Sequence, residues 1–159
     1  MYETCSPDIA MYALRRTDRE TAQDIVAETF TIAWRRFDDV PEEPLPWLYG
    51  VARRVLANQR RSSRRLTALR RKLAPDADTA PELADPKLGA AFRELLEIDR
   101  EILMLVAWEG LTPSEAAVVL GCTSTAARLR LHRARNRLAN ALGLSSSDIA
   151  PEHVIEEVS

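Results

Sequence analysis

Apolar residues recur along this chain at steps of three and four, and no alternating run bounded by turn residues occurs, so the pattern predicts helices throughout. Thr17 or Asp18 caps a helix whose Ala22, Ile25, Val26, Thr29, Phe30, Ala33, Trp34 and Phe37 form one buried stripe, with Asp24 and Glu28 on the other face. Proline lacks an amide donor and pushes its predecessor out of helical geometry, so Pro41, Pro44 and Pro46 end this helix in a loop over 38–46. The next helix opens near Pro46 and buries Leu48, Val51, Ala52 and Val55, a stripe that continues through Leu66, Leu69 and Leu73. At about 100° per residue, Arg53, Arg60, Arg61 and Arg64 fall on the opposite side.

Between 74 and 86 the composition shifts to Ala, Pro, Asp and Thr, which predicts a linker. Helices resume at Asp85 and Pro86, a cap followed by a first-turn proline, through Leu88, Phe92, Leu95 and Leu96. They restart at Asp99 for Ile102, Leu103, Leu105 and Val106, and stop at Gly110. Thr112 and Glu115 have capping-box spacing, so a short helix begins there and ends at Gly121. Thr123 or Ser124 then caps a long helix reaching about Leu142, with Ala127, Leu131, Ala134, Leu138 and Leu142 as its buried stripe. A short helix, a tight turn and a longer basic helix make a helix-turn-helix, whose second helix enters the DNA major groove in known examples. The expected fold is all-α: two small helical domains, 1–73 and 87–143, joined by a flexible linker at 74–86 and followed by a tail at 144–159.

Charge sharpens this picture. Fourteen of the 22 Lys and Arg residues lie in two stretches, 51–75 and 116–147, that contain no acid, leaving eight to share the rest with all 24 acids. Two phosphate-binding patches set in acidic surroundings point to a nucleic-acid partner and against indiscriminate binding. Apolar runs are too short to span a bilayer, and Met1 to Ala13 lacks a basic leader, which predicts a cytoplasmic protein without membrane insertion. Cys5 and Cys122 lack CxxC spacing and have only His132 and His153 as companions, so neither a disulfide framework nor a metal site is expected, with Cys122 read as buried and Cys5 as a free thiol. No phosphate loop or catalytic constellation stands out, so no cofactor and no enzymatic activity are expected.

Residues 22–37, AQDIVAETFTIAWRRF, and 46–61, PWLYGVARRVLANQRR, resemble region 2 of the bacterial RNA polymerase sigma factors of the extracytoplasmic-function (ECF) group. Residues 99–138, DREILMLVAWEGLTPSEAAVVLGCTSTAARLRLHRARNRL, resemble their region 4. The resemblance covers nearly the whole chain, and both motifs in this order are far more specific than either alone. It implies that Asp24, Glu28 and Thr29 dock on the clamp coiled coil of core polymerase. It also implies that Trp47, Tyr49, Arg53, Arg60, Arg61 and Arg64 hold single-stranded DNA of the downstream (−10) promoter element, by base stacking and phosphate contact. Arg128, Leu129, His132 and Arg133 then read the upstream (−35) element as duplex, while Ser124, Thr125, Arg135 and Arg137 hold phosphates. An anti-sigma factor is the implied inhibitory partner.

The chain departs from the family at Leu129, where a small polar residue is usual, and at Arg54 and Asn58. The loop with Asp38, Asp39, Glu42 and Glu43 has no aromatic residue to pocket a base. The rival readings are a helix-turn-helix regulator acting without polymerase, and a protein that mimics a sigma factor to sequester a regulator. The tail after Gly143 is read as disordered or as an acidic helix folding back on a basic patch.

Overall fold

The computed structural model describes residues 1–70 and 83–144, with no account of the Arg70 side chain. Seven α-helices and no strand occur among these residues: α1 (Tyr2–Leu14), α2 (Arg19–Arg35), α3 (Pro44–Arg70), α4 (Pro86–Glu94), α5 (Glu97–Ala107), α6 (Pro113–Leu120) and α7 (Ser124–Ala141). Arg71, Lys72, Leu73, most of the predicted linker and the tail from Ser145 onward lie outside the described residues.

Local chemistry starts α2, α4, α6 and α7, and stops α6, where expected. The Asp18 carboxylate accepts from the Thr21 amide at 2.9 Å, and Asp85 caps α4 ahead of Pro86. Backbone and side-chain donation from Thr21 holds the Asp18 carboxyl below its ordinary value. Thr112 and Glu115 form the reciprocal capping box of α6, and Gly121 ends it in the left-handed region at φ 66°, where a side chain would be strained. Thr123 caps α7 through the Ala126 amide at 3.1 Å.

Several expectations are corrected. α1 is a full helix that buries Cys5, Ile9, Tyr12 and Ala13. α2 ends at Arg35 and a single 3-10 turn takes over Phe37–Asp39, so Phe37 leaves the phase of the stripe and is 62% exposed. Trp34 lies about 100° from the stripe's centre and is 78% exposed. Leu66, Leu69 and Leu96 are exposed rather than buried. Asp99 starts no helix; it is buried inside the first turn of α5, whose N-cap is Leu96. The two cysteines exchange places, with Cys5 buried and Cys122 exposed.

One apolar core runs through both halves of the chain. Ile9, Tyr12, Ile25, Leu48 and Val55 from α1–α3 belong to the same buried cluster as Ile102, Leu105, Ala116, Val119 and Leu131 from α5–α7. α3 and α6 meet at Gly50, where an added Cβ would lie 3.7 Å from the Val119 backbone. A satellite of Phe92, Leu95 and Met104, flanked by Trp108 and Leu138, fixes α4 against α5 and α7.

Candidate nucleic-acid interface

α7 carries the best-formed surface. Ala127, Leu131 and Ala134 are buried and Leu138 half-buried, which turns Thr125, Arg128, Leu129, His132, Arg133 and Arg135 outward. Ser124 is half-buried at the first turn, beside the capping Thr123, where free amides and the helix dipole favour an anion. Arg128, Arg133 and Arg135 have no acidic partner among the described residues. The His132 and Asn136 side chains lie 3.2 Å apart within hydrogen-bonding geometry, which orients the ring along the helix surface. Arg137 is different: its guanidinium bonds the buried Asp99 carboxylate, so it fastens α7 to α5 instead of standing free for phosphate.

On α3, Arg61 and Arg64 are exposed, and Arg61 donates to Asn58. Arg53 is half-buried. Arg60 donates to the Arg16 carbonyl at 3.0 Å within its own half and reaches across to the other half, lying 3.4 Å from the Glu97 carboxylate. Trp47 is half-buried, with the Arg36 guanidinium 5.9 Å from its ring centre. Tyr49 is not available as a stacking surface: it is 2% exposed and packs on Tyr12 with ring centres 5.3 Å apart. It lies about 100° from Leu48, at the edge of the predicted stripe, so its burial follows from the packing of α1 against α3 rather than from its phase on the helix.

On α2, Asp24 and Glu28 are exposed as expected, but Thr29 is completely buried in the stripe with its hydroxyl unpartnered among the described residues. Trp34 and Phe37, 6.4 Å apart between ring centres, form the exposed aromatic pair that the stripe reading had placed inside.

The seam between the halves was not foreseen. Arg16 is 3% exposed; its Nε lies 3.1 Å from Glu101 and its NH1 3.3 Å from Glu109, while NH1 also donates to the Tyr12 carbonyl. Arg15 bonds the same Glu109 at 2.8 Å, and that carboxylate is fully buried. The Tyr12 hydroxyl donates to Glu101 at 2.9 Å. Burial works against the Arg16 charge, but Glu101, Tyr12 and Glu109 outweigh it and push the pKa up, so the guanidinium stays charged. Burial, reinforced by Glu101, pushes the Tyr12 phenol well above its ordinary range. The partners are more than eighty residues apart in sequence, so no local pattern announces them.

Residues 1–66 match the family described as Sigma-70 region 2, and residues 87–138 match Sigma-70, region 4. The chain is 32% identical over 137 residues to the RNA polymerase sigma factor NccH of Alcaligenes xylosoxydans xylosoxydans, covering 75% of this chain and 72% of that protein. It is 32% identical over 158 residues to the ECF RNA polymerase sigma factor SigD of Mycobacterium tuberculosis, covering 88% and 74%. Its fold is similar to the solved sigma factor RpoE, in complex with the anti-sigma factor NepR, from Bartonella quintana, with a TM-score of 0.66 at 23% identity over 91% of this chain and 95% of that one.

Proposed function

As the chain belongs to the RNA polymerase sigma factors, in their ECF group, we propose that it brings core polymerase to promoters by reading an upstream duplex with α7 and capturing the melted strand with α3. It does so in the cytoplasm and without chemistry of its own. The outward face of α7 is the observation that carries this reading. Cations without acidic partners, on the second helix of a capped helix-turn-helix, suit the phosphates and base edges of a major groove. Arg128 and Arg133 suit guanine, where a bidentate contact discriminates by ~1–3 kcal/mol. Ser124, Thr125 and Arg135 suit phosphates. On the other half, Arg53, Arg61 and Arg64 track the single strand beside Trp47, and Asp24 and Glu28 dock on the polymerase clamp.

The seam gives this function a physical order of events. With the halves packed, Glu97 of the C-terminal half lies 3.4 Å from Arg60, and Tyr49 lies in the shared core. Promoter engagement by both halves therefore follows opening of the seam, and polymerase docking supplies the free energy to open it. Linked weak contacts then act together on one DNA molecule. An anti-sigma factor that binds the packed form would hold the chain inactive; the fold relative RpoE was solved in complex with the anti-sigma factor NepR.

Transcription by core polymerase with and without the chain tests the proposal. Start-site-specific RNA that depends on the chain is expected. Binding to promoter DNA without initiation would favour a polymerase-independent regulator, and neither activity would favour a sequestering mimic. Free protein should bind promoter duplex weakly, with a salt slope of roughly −0.9 per phosphate contact and only a few contacts.

A further inference from the structure

Leu129 occupies an unusual place on α7. With the buried stripe of Ala127, Leu131, Ala134 and Leu138 taken as the inner face, Leu129 projects within about 10–20° of the direction opposite to it. It therefore points away from the core, 47% exposed, with Thr125 one turn before it and Arg133 one turn after. Its nearest neighbours on that face are Thr125, Ala126, His132 and Arg133, with Arg128 beside it, so Leu129 is the one large apolar side chain in a mostly polar surrounding. A leucine has no hydrogen bond to give, so it cannot read a donor or an acceptor. On a free helix it simply leaves apolar surface in water.

The one apolar group that duplex DNA offers in the major groove is the thymine C5 methyl. Flanking guanidiniums from Arg128 and Arg133 are complementary to the adjoining phosphates and guanine edges, which fixes DNA as the occupant of this face rather than a protein or a membrane. We infer that Leu129 selects a thymine in the upstream promoter element by burying its C5 methyl at the centre of the interface. This rests on the proposal that α7 reads duplex DNA. It adds a hydrophobic determinant to a face otherwise specified by hydrogen bonds. The base so chosen is distinguished from cytosine by shape and methyl contact alone.

The test begins by letting core polymerase and the full chain initiate on duplexes randomised upstream, which yields the preferred upstream element. Each thymine in that element is then replaced by deoxyuridine, which keeps the pairing and removes only the methyl. At one position the replacement should lower open-complex formation about fourfold, the loss expected for one buried methyl. The same replacement should have no effect with Leu129→Ser, whose unfolding midpoint should match the parent because the side chain is exposed. If every thymine is indifferent to loss of its methyl, or if Leu129→Ser retains the sensitivity, the leucine does not read thymine even though the chain directs initiation. If no specific transcript starts at all, the reading of α7 falls and this inference falls with it.

Discussion

At the end of α1, Arg15 and Arg16 are closed in by Glu101 and Glu109, whereas along α7 Arg128, Arg133 and Arg135 face outward with no acid among the described residues to meet them. The same planar cation serves opposite ends in the two regions. In the seam it is desolvated, and a buried carboxylate satisfies it; on α7 it stays hydrated and ready to exchange counterions for phosphates. What separates the roles is the position of the acids. Sequence places Arg15 and Arg16 beside an ordinary turn, while folding brings them against the C-terminal half.

The strongest way to break this comparison is Glu109→Ala set against Arg128→Ala. Removing Glu109 strips two guanidiniums of a buried partner, and breaking a buried pair costs about 3–5 kcal/mol. Arg128→Ala, at an exposed position, should change stability by less than about 0.5 kcal/mol. Urea unfolding measures both. Small-angle scattering of the Glu109 variant should also show a larger radius of gyration if the seam opens before either half unfolds. Equal stability losses from the two variants would erase the distinction between seam and surface arginines.

A finer cut lies within α7 itself. Arg137 pairs with buried Asp99, so Arg137→Ala should cost about 1–3 kcal/mol in urea unfolding because that carboxylate is left buried without its partner. Arg135→Ala should leave the unfolding midpoint in place. Its effect belongs to DNA, where the salt slope of the polymerase-bound promoter complex should fall by about 0.9, one phosphate contact. A reversed pattern would show that Arg137 holds phosphate and Asp99 is neutralised some other way.

The seam should also respond to alkali in a way the α7 face does not. Tyr12 has its phenol pushed up by burial and by Glu101, and Tyr49 is pushed up by burial. A raised folded pKa means that the unfolded chain loses the proton first, so stability is unaffected below the ordinary tyrosine value of 10 and declines above it. The slope should approach ~1.4 kcal/mol per pH unit for each such tyrosine, and Tyr12→Phe should lessen it. Urea melts from pH 8 to 11.5 would check the decline.

Elements whose determinants are local were legible in the sequence. Caps at Asp18, Asp85 and the Thr112–Glu115 box, and the stripe on α7, depend on residues a few positions apart. α1 was passed over although Cys5, Ile9, Tyr12 and Ala13 have helical spacing, because Pro7 and a short mixed segment dilute the pattern. Trp34 was drawn into the stripe by its hydrophobicity, when its phase on the helix already put it outside. Tyr49 and Arg60 were read for DNA because aromatic and basic residues suit it; their actual partners, Tyr12, Arg16 and Glu97, come from distant segments and only the folded chain reveals them. The outward set on α7 was legible for the opposite reason: its environment is set by its own helix.

The smallest expected effect separates packing from docking on α2. Resemblance assigns Thr29 to polymerase with Asp24 and Glu28, yet its side chain is buried among the residues of the stripe and its hydroxyl has no partner among the described residues. A buried hydroxyl that makes no hydrogen bond forfeits its hydration and gains nothing in return. Valine keeps the shape and removes that cost, so Thr29→Val should stabilise the protein by about 1 kcal/mol in urea unfolding and leave polymerase affinity where it was. Asp24→Lys and Glu28→Lys, both at exposed positions, should weaken polymerase binding with little change in the unfolding midpoint. If valine at 29 instead lowered polymerase affinity at unchanged stability, Thr29 would have to turn outward on docking, and α2 would be a helix that repacks when the seam opens.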